Sequence, residues 1–229
     1  MTAVDDAARE VPGAGRPEIS PAQLRDAMGH FATGVTVITT VGPDGEPVGT
    51  TANAVTSLSL EPPLVLACFD LKSATRAAIT NHGAFAVNVL GHRQRQLSAN
   101  FAKRGLAAAW DQVRHHRGPT GSPRLADVIA VIECTVEASF PGGDHEIIIG
   151  RVRHLETNGD GATPLLFWRG GYASIDGQIP ALREWGAGPP AGWGCVRTGA
   201  AGATGRPARP RKPGARPPAP QSRWRLPGR

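Results

Sequence analysis

Between Val35 and Leu60 the chain writes V-T-V-I-T-T-V, then P-D-G, then G-T-T-A-N-A-V-T-S-L-S-L. β-branched side chains lose rotamer freedom in a helix and pack well on a pleated surface, so the first run predicts a strand over residues 35–41. Pro43-Asp44-Gly45 supplies a preset φ, a side chain that bonds its own backbone and a residue tolerant of positive φ, which together make a turn. A return strand then enters residues 49–60, and a further apolar strand follows over 64–69, beyond Pro62-Pro63. Consecutive strands joined by tight turns pair antiparallel, which commits this part of the chain to a mainly β fold.

Residues 49–60 also carry the first hint of chemistry. They combine a glycine, small hydroxyls and the amide of Asn53, and contain no acid or base. Small polar side chains beside an approachable backbone suit a planar ligand rich in hydrogen-bonding groups. A polar edge strand explains the same segment equally well.

The flanking elements extend the pattern. Ser20-Pro21-Ala22-Gln23 offers an N-cap, a proline at the first helical position and a capping-box glutamine, predicting a helix to about His30. Leu24, Ala27, Met28 and Phe31 give it one apolar face. Ser73-Ala74-Thr75 opens a second helix that stops at His82-Gly83. Such a helix start suits an anion, although simple capping accounts for Ser73 by itself. A strand over 84–90, a helix over 93–102 and strands over 128–139, 146–155 and 165–168 complete the reading. Strands dominate and strict β-α alternation is missing, so the expected architecture is a closed antiparallel barrel with a few short helices.

Charge divides the chain. Of its 25 Lys and Arg, nine fall in residues 186–229, which hold no Asp or Glu, so residues 1–185 carry 16 basic against 19 acidic side chains. The net +6 of the whole therefore belongs to the tail, and residues 1–185 stand at −3. That tail also has nine Pro and nine Gly in 44 residues and lacks apolar periodicity, so residues 186–229 are expected to be disordered. Its bases are poorly interleaved with aromatics, which argues against a nucleic-acid partner. Residues 1–19 are likewise read as a disordered leader to a domain over 20–180. With neither a basic n-region nor an apolar h-region at the start, and no apolar run of roughly 20 residues, the expectation is a cytoplasmic protein with no membrane span.

Cys68, Cys134 and Cys195 show no metal-ligand or disulfide spacing. Cys68 and Cys134 lie within apolar runs and are expected to be buried small hydrophobes. His115 and His116 sit in an Arg- and Pro-rich stretch and read as solvated loop residues. The sequence contains no G-x-G-x-x-G, no Walker A lysine, no G-x-S-x-G and no H-E-x-x-H, which disfavours Rossmann, P-loop, lipase-like and zincin chemistry.

Several motifs in order then resemble one family. They are the run Met28-Gly29-His30-Phe31-Ala32-Thr33-Gly34-Val35, the core from Thr51-Ala52-Asn53-Ala54 to Pro62-Pro63-Leu64-Val65, Ser73-Ala74-Thr75, Phe85-Ala86-Val87-Asn88-Val89-Leu90, Gly143-Asp144-His145 and Gly170-Gly171-Tyr172. Together, over about residues 21–176, they resemble the flavin reductases that serve two-component flavin-dependent monooxygenases. The resemblance implies a mainly β, antiparallel Greek-key split barrel, usually a homodimer, that binds FMN or FAD and takes hydride from NADH or NADPH. It implies that Thr51, Ala52, Asn53 and Ala54 line the flavin ring and ribityl chain, that Ser59, Ser73 and Thr75 take the phosphate end, and that Phe101 and Ala102 close the pocket. His145 would face the nicotinamide as an orienting group, with Tyr172 nearby. The stretch K-R-G-L-A-A-A-W over 103–110 departs from the family pattern, and the chain continues more than fifty residues past Tyr172, where the family generally ends.

The expected activity is NAD(P)H:flavin oxidoreduction that supplies reduced flavin to a partner monooxygenase. The alternative is a non-catalytic flavin- or haem-binding barrel, for which His82 or His154 would be the axial ligand.

Overall fold

The computed structural model of the protein describes residues 19–103, 107–158 and 162–175. Cys195 and both expected disordered segments, residues 1–18 of the leader and the tail over 186–229, lie outside them. The first helix, α1 (Pro21–Gly29), begins as its sequence dictates. Ser20 Oγ accepts from Gln23 N at 3.3 Å and Gln23 Oε1 accepts from Ser20 N at 2.9 Å. Its apolar face has no partner within the described chain: Leu24, Met28 and Phe31 are each more than half exposed, and no residue of α1 is buried.

Strands β1 (Thr33–Gly34) and β2 (Thr36–Val41) follow, and β2 is buried along its whole length. The Pro43-Asp44-Gly45 turn, with Gly45 at φ 82°, returns the chain into β3 (Pro47–Ala52). The sequence suggested one strand-like segment over 49–60; the structure breaks it at Asn53-Ala54 into β3 and β4 (Val55–Leu60). The reason is topological. In the seven-stranded sheet the order is β3-β2-β6-β9-β10-β5-β4, so these successive strands occupy opposite edges. The others are β5 (Pro63–Asp70), β6 (Ala84–Val89), β9 (Ala130–Gly142) and β10 (His145–Thr157), and every pairing is antiparallel. Six strand-to-strand steps of about 4.8 Å would part the edges of a flat sheet by roughly 29 Å. Ala52 and Val55 are three Cα steps apart and can be separated by no more than about 11 Å. The sheet must therefore curl until its edges meet, which makes it a barrel, and Asn53-Ala54 forms the seam.

Alternation along the strands sorts the core into two layers. Ile38, Phe85, Val87, Cys134 and Ile148 pack together, joined by Ile79 of the second helix α2 (Ala74–His82). Val37, Ala86 and Val131, their neighbours of opposite facing, pack with Phe101 of α3 (Arg95–Phe101) and with Leu125. Gly83 at φ 74° ends α2 as its position after His82 predicts. A 3-10 turn, His92–Gln94, precedes α3.

Several short elements escaped the sequence reading, among them a two-stranded ribbon. His115 and His116 are exposed as expected, but they lie in a strand, β7 (His115–Arg117), paired with β8 (Pro123–Leu125). This ribbon is latched to the barrel by buried polar groups: Thr39 Oγ1 donates to Pro123 O at 2.5 Å, and Asn88 Oδ1 accepts from Leu125 N at 2.8 Å. Buried Glu133 accepts from Thr120 N and Oγ1 at 3.2 and 2.8 Å. Finally β11 (Leu166–Trp168) pairs with β1 and with β12 (Gly171–Ala173) in a three-stranded sheet. Among the described residues no helix is long and apolar enough to cross a membrane, and no three His, Cys, Asp or Glu side chains group as metal ligands.

Candidate functional site

The seam of the barrel opens into a cleft of about 660 Å³, within the size range of small-molecule sites. Its floor is β3 with Asn53 and Ala54, one wall is the end of β5 and the start of α2, and the other is the end of α3 with Trp110. Thr51, Ala52, Asn53, Ala54, Ser73, Thr75, Phe101, Ala102 and His145 all border it. They are up to 94 residues apart in the chain. Ser59 and Tyr172 do not border it. Ser59 lies on β4 beside a register irregularity between Ser57 and Ser59, and the half-buried Tyr172 packs against the layer containing Val35 and Phe101.

Asn53 donates from Nδ2 to Thr33 Oγ1 at 3.2 Å, which leaves its Oδ1 as an acceptor at the seam. Ser73 caps α2 by accepting from Arg76 N at 3.3 Å. The first amides of that helix have no intrahelical acceptor and bias this end of the cleft toward negative charge. Lys72 and Lys103 border the cleft as cations, and Glu46 and Asp70 as acids. Asp70 Oδ1 accepts from Lys72 N at 2.8 Å, shaping the turn into α2.

His145 is placed by strand pairing opposite Asp70, and Leu71 N donates to Asp144 O at 3.1 Å. Its Nδ1 donates to Asp144 Oδ1 at 2.7 Å. This hydrogen bond holds the Asp144 carboxyl below its usual range and leaves Nε2 as the ring's other polar atom. One residue on, Glu146 pairs with Arg76 at 2.6 Å and ties β10 to α2. The hydrogen bond from Arg76, assisted by Ser139, holds the Glu146 carboxyl below its ordinary value.

The two described cysteines part company. Cys134 is buried, and burial with the neighbouring Glu133 charge pushes its thiol up to about 12. Cys68 corrects the expectation of burial: Ala67 and Phe69 take the inward positions of β5, so Cys68 faces the other way and borders the cleft half-buried. Lys72, Lys103, Glu46 and Trp110 were not singled out from the sequence. The adjacency of Lys72 to the Ser73 cap was the available signal for the first. Trp110 closes the stretch that departs from the family pattern, and its ring meets Phe101 edge-on at 5.0 Å.

The donor set fits a flavin. Hydroxyls, an amide and strand backbone line the floor, helix-start amides and a lysine lie at one end, and an aromatic pair lies at the other. Comparisons with known proteins agree. Residues 28–176 match the family model described as the flavin reductase like domain. A Rhizobium meliloti protein named "Probable flavin reductase" is 44% identical over 170 residues, 69% of this chain and 54% of that one, so the chain spans about half of that relative's length. The reductase subunit of a flavin-dependent monooxygenase from Rhodococcus jostii is 41% identical over 71% of this chain and 83% of its own. The solved structure of the Streptomyces globisporus NADH:FAD oxidoreductase in complex with NAD and FAD fragments superposes with a TM-score of 0.64 at 35% identity, covering 70% of this chain and 97% of that one. On these grounds the chain belongs to the flavin reductase family.

Proposed function

We propose that this protein is an NAD(P)H:flavin oxidoreductase that reduces FMN or FAD and supplies the reduced flavin to a partner monooxygenase. The observation that carries this reading is the convergence, on one cleft, of Thr51 to Ala54, Ser73 to Thr75, Phe101, Ala102 and His145 from separate elements. The names of the relatives, a monooxygenase reductase subunit and an NADH:FAD oxidoreductase, point the same way.

When bound, the flavin and the nicotinamide supply the hydride acceptor and donor, so the protein's own task is positioning. Thr51 and Asn53, with the β3 backbone, hold the polar edge of the flavin. Ser73, Thr75 and the helix start receive its phosphate, with Lys72 adding charge. Phe101 and Ala102 cover the ring. His145, oriented through Nδ1 by Asp144, presents Nε2 toward the nicotinamide.

The working form proposed is a homodimer, in which a second copy covers the exposed side chains of Leu24, Met28 and Phe31. A haem-binding alternative finds no support at this cleft, because neither His82 nor His154 borders it. The test is to mix the purified protein with NADH and catalytic FMN under air and follow nicotinamide oxidation. The expected result is acceleration well above the flavin-only blank; a rate equal to the blank with both NADH and NADPH, and with both FMN and FAD, would remove this reading.

A further inference from the structure

Tyr172 belongs to the last motif of the family-like pattern, yet it stands away from the cleft. Its hydroxyl lies 2.9 Å from Ser98 Oγ. Ser98 is fully buried at the middle of α3. The carbonyl of the same Ser98 accepts two hydrogen bonds, from Thr51 Oγ1 at 2.7 Å and from Ala102 N at 3.0 Å. Thr51 lies on the floor of the cleft and Ala102 on its wall. Ser98 thus sits between two parts of the cleft that come from different elements, and Tyr172 is the side chain that holds it from behind.

The surroundings favour a fixed geometry. The Tyr172 ring packs edge-on against Phe167 with centroids 6.0 Å apart, and the Arg95 guanidinium lies 5.3 Å above it. On the far side α3 presses directly on β3. A Cβ at Gly49 would stand 3.1 Å from Phe101 Cε1 and 3.2 Å from Ile38 O, so Gly49 permits an approach that a larger residue would block. The fully buried Ser98 hydroxyl has no water to substitute for a lost partner, so removal of the Tyr172 hydroxyl is felt at Ser98.

We propose that Tyr172 and Ser98 are positioning residues for the flavin site, the first clamping the second so that Thr51 and Ala102 keep their spacing across the cleft. Tyr172 acts through Ser98 and does not touch the cofactor. The proposal rests on the flavin-binding reading above for its functional consequence, and on the hydrogen bonds alone for its structural one.

The experiment measures FMN binding by fluorescence quenching without nicotinamide, and hydrogen exchange over residues 98–103, in wild type, Tyr172→Phe, Ser98→Ala and the double variant. Tyr172→Phe keeps the ring against Phe167 and removes only the hydroxyl. The dissociation constant for FMN is expected to rise about three- to tenfold in each single variant, the span of one net hydrogen bond. The double variant is expected to bind no more weakly than the worse single, because both remove the same contact. Exchange over 98–103 is expected to quicken while that over 74–82 stays as in wild type.

Unchanged FMN affinity and unchanged exchange in Tyr172→Phe would overturn the proposal. So would a raised KM for NADH with FMN affinity intact, since Tyr172 would then be a nicotinamide contact. Strictly additive losses in the double variant would overturn the clamp as well. If wild type fails to bind FMN, the flavin reading falls, and the exchange of 98–103 still decides whether the clamp exists.

Discussion

At the scale of single residues, Asn53 is the amide that borders the cleft at the seam of the barrel. It occupies the seam where β3 leaves one edge of the sheet and β4 begins the other, and its Nδ2 is committed to Thr33 Oγ1. Asn53→Leu removes the remaining acceptor and sets an apolar group against a polar ligand edge, which costs about 1–3 kcal/mol when the partner is left unpaired. FMN affinity should drop at least severalfold by fluorescence titration; an unchanged constant in a folded variant would mean that Asn53 does not touch the flavin. The sequence pointed to Asn53 through its neighbours and not through its own chemistry, since an isolated Asn in a polar run has many roles. Tyr172 is the opposite case: the motif was visible, but its use is read only from the hydroxyl contact with Ser98.

At the scale of elements, α2 and its partners carry two predictions. Ser73 caps the helix, so Ser73→Ala should lower stability by about 0.5–2 kcal/mol. If Ser73 and Thr75 also receive phosphate, the double alanine variant should lose its preference for FMN over riboflavin, whereas capping alone predicts lower stability with that preference intact. The second concerns Glu146, whose carboxyl lies below its ordinary value of 4.5 because Arg76 donates to it. A depressed folded value adds stability that is complete above the unfolded value and disappears as pH falls through the folded one. The Tm difference between wild type and Glu146→Gln should therefore be constant near neutrality and close below pH 4.5; a difference that persists in acid would mean that the ion pair is not its source.

Legibility at this scale followed the strength of local signals. Capped helices and β-branched strands were evident because Ser20, Gln23, Ser73 and Gly83 act on their immediate neighbours. The break between β3 and β4 was not, because Asn53-Ala54 is only a two-residue interruption between runs rich in Thr and Val, and barrel closure is what makes it a break. The β7–β8 ribbon was hidden because its backbone at Pro123 and Leu125 and its turn residue Thr120 are held by partners distant in sequence, Thr39, Asn88 and Glu133. The apolar stripe of α1 was legible as a stripe, but periodicity does not say what covers it.

At the scale of the whole molecule, the family pattern is complete by residue 176, and the charge surplus lies beyond it. A chain ended after Trp185 should retain FMN-dependent NADH oxidation. It should also lose any salt-sensitive adhesion to DNA or anionic lipid shown by the full chain, since its formal charge changes from +6 to −3. Failure of the shortened protein to fold or to reduce flavin would show that the tail docks on the barrel. The central claim is that the cleft brings nicotinamide and flavin together for hydride transfer. It is tested most directly without oxygen, by adding NADH to excess FMN with a trace of protein and following flavin absorbance. The account predicts bleaching that matches the NADH consumed one for one and accelerates in proportion to protein. Tight FMN binding with no bleaching beyond the protein-free rate, for NADPH as for NADH, would contradict it and leave a flavin carrier in its place.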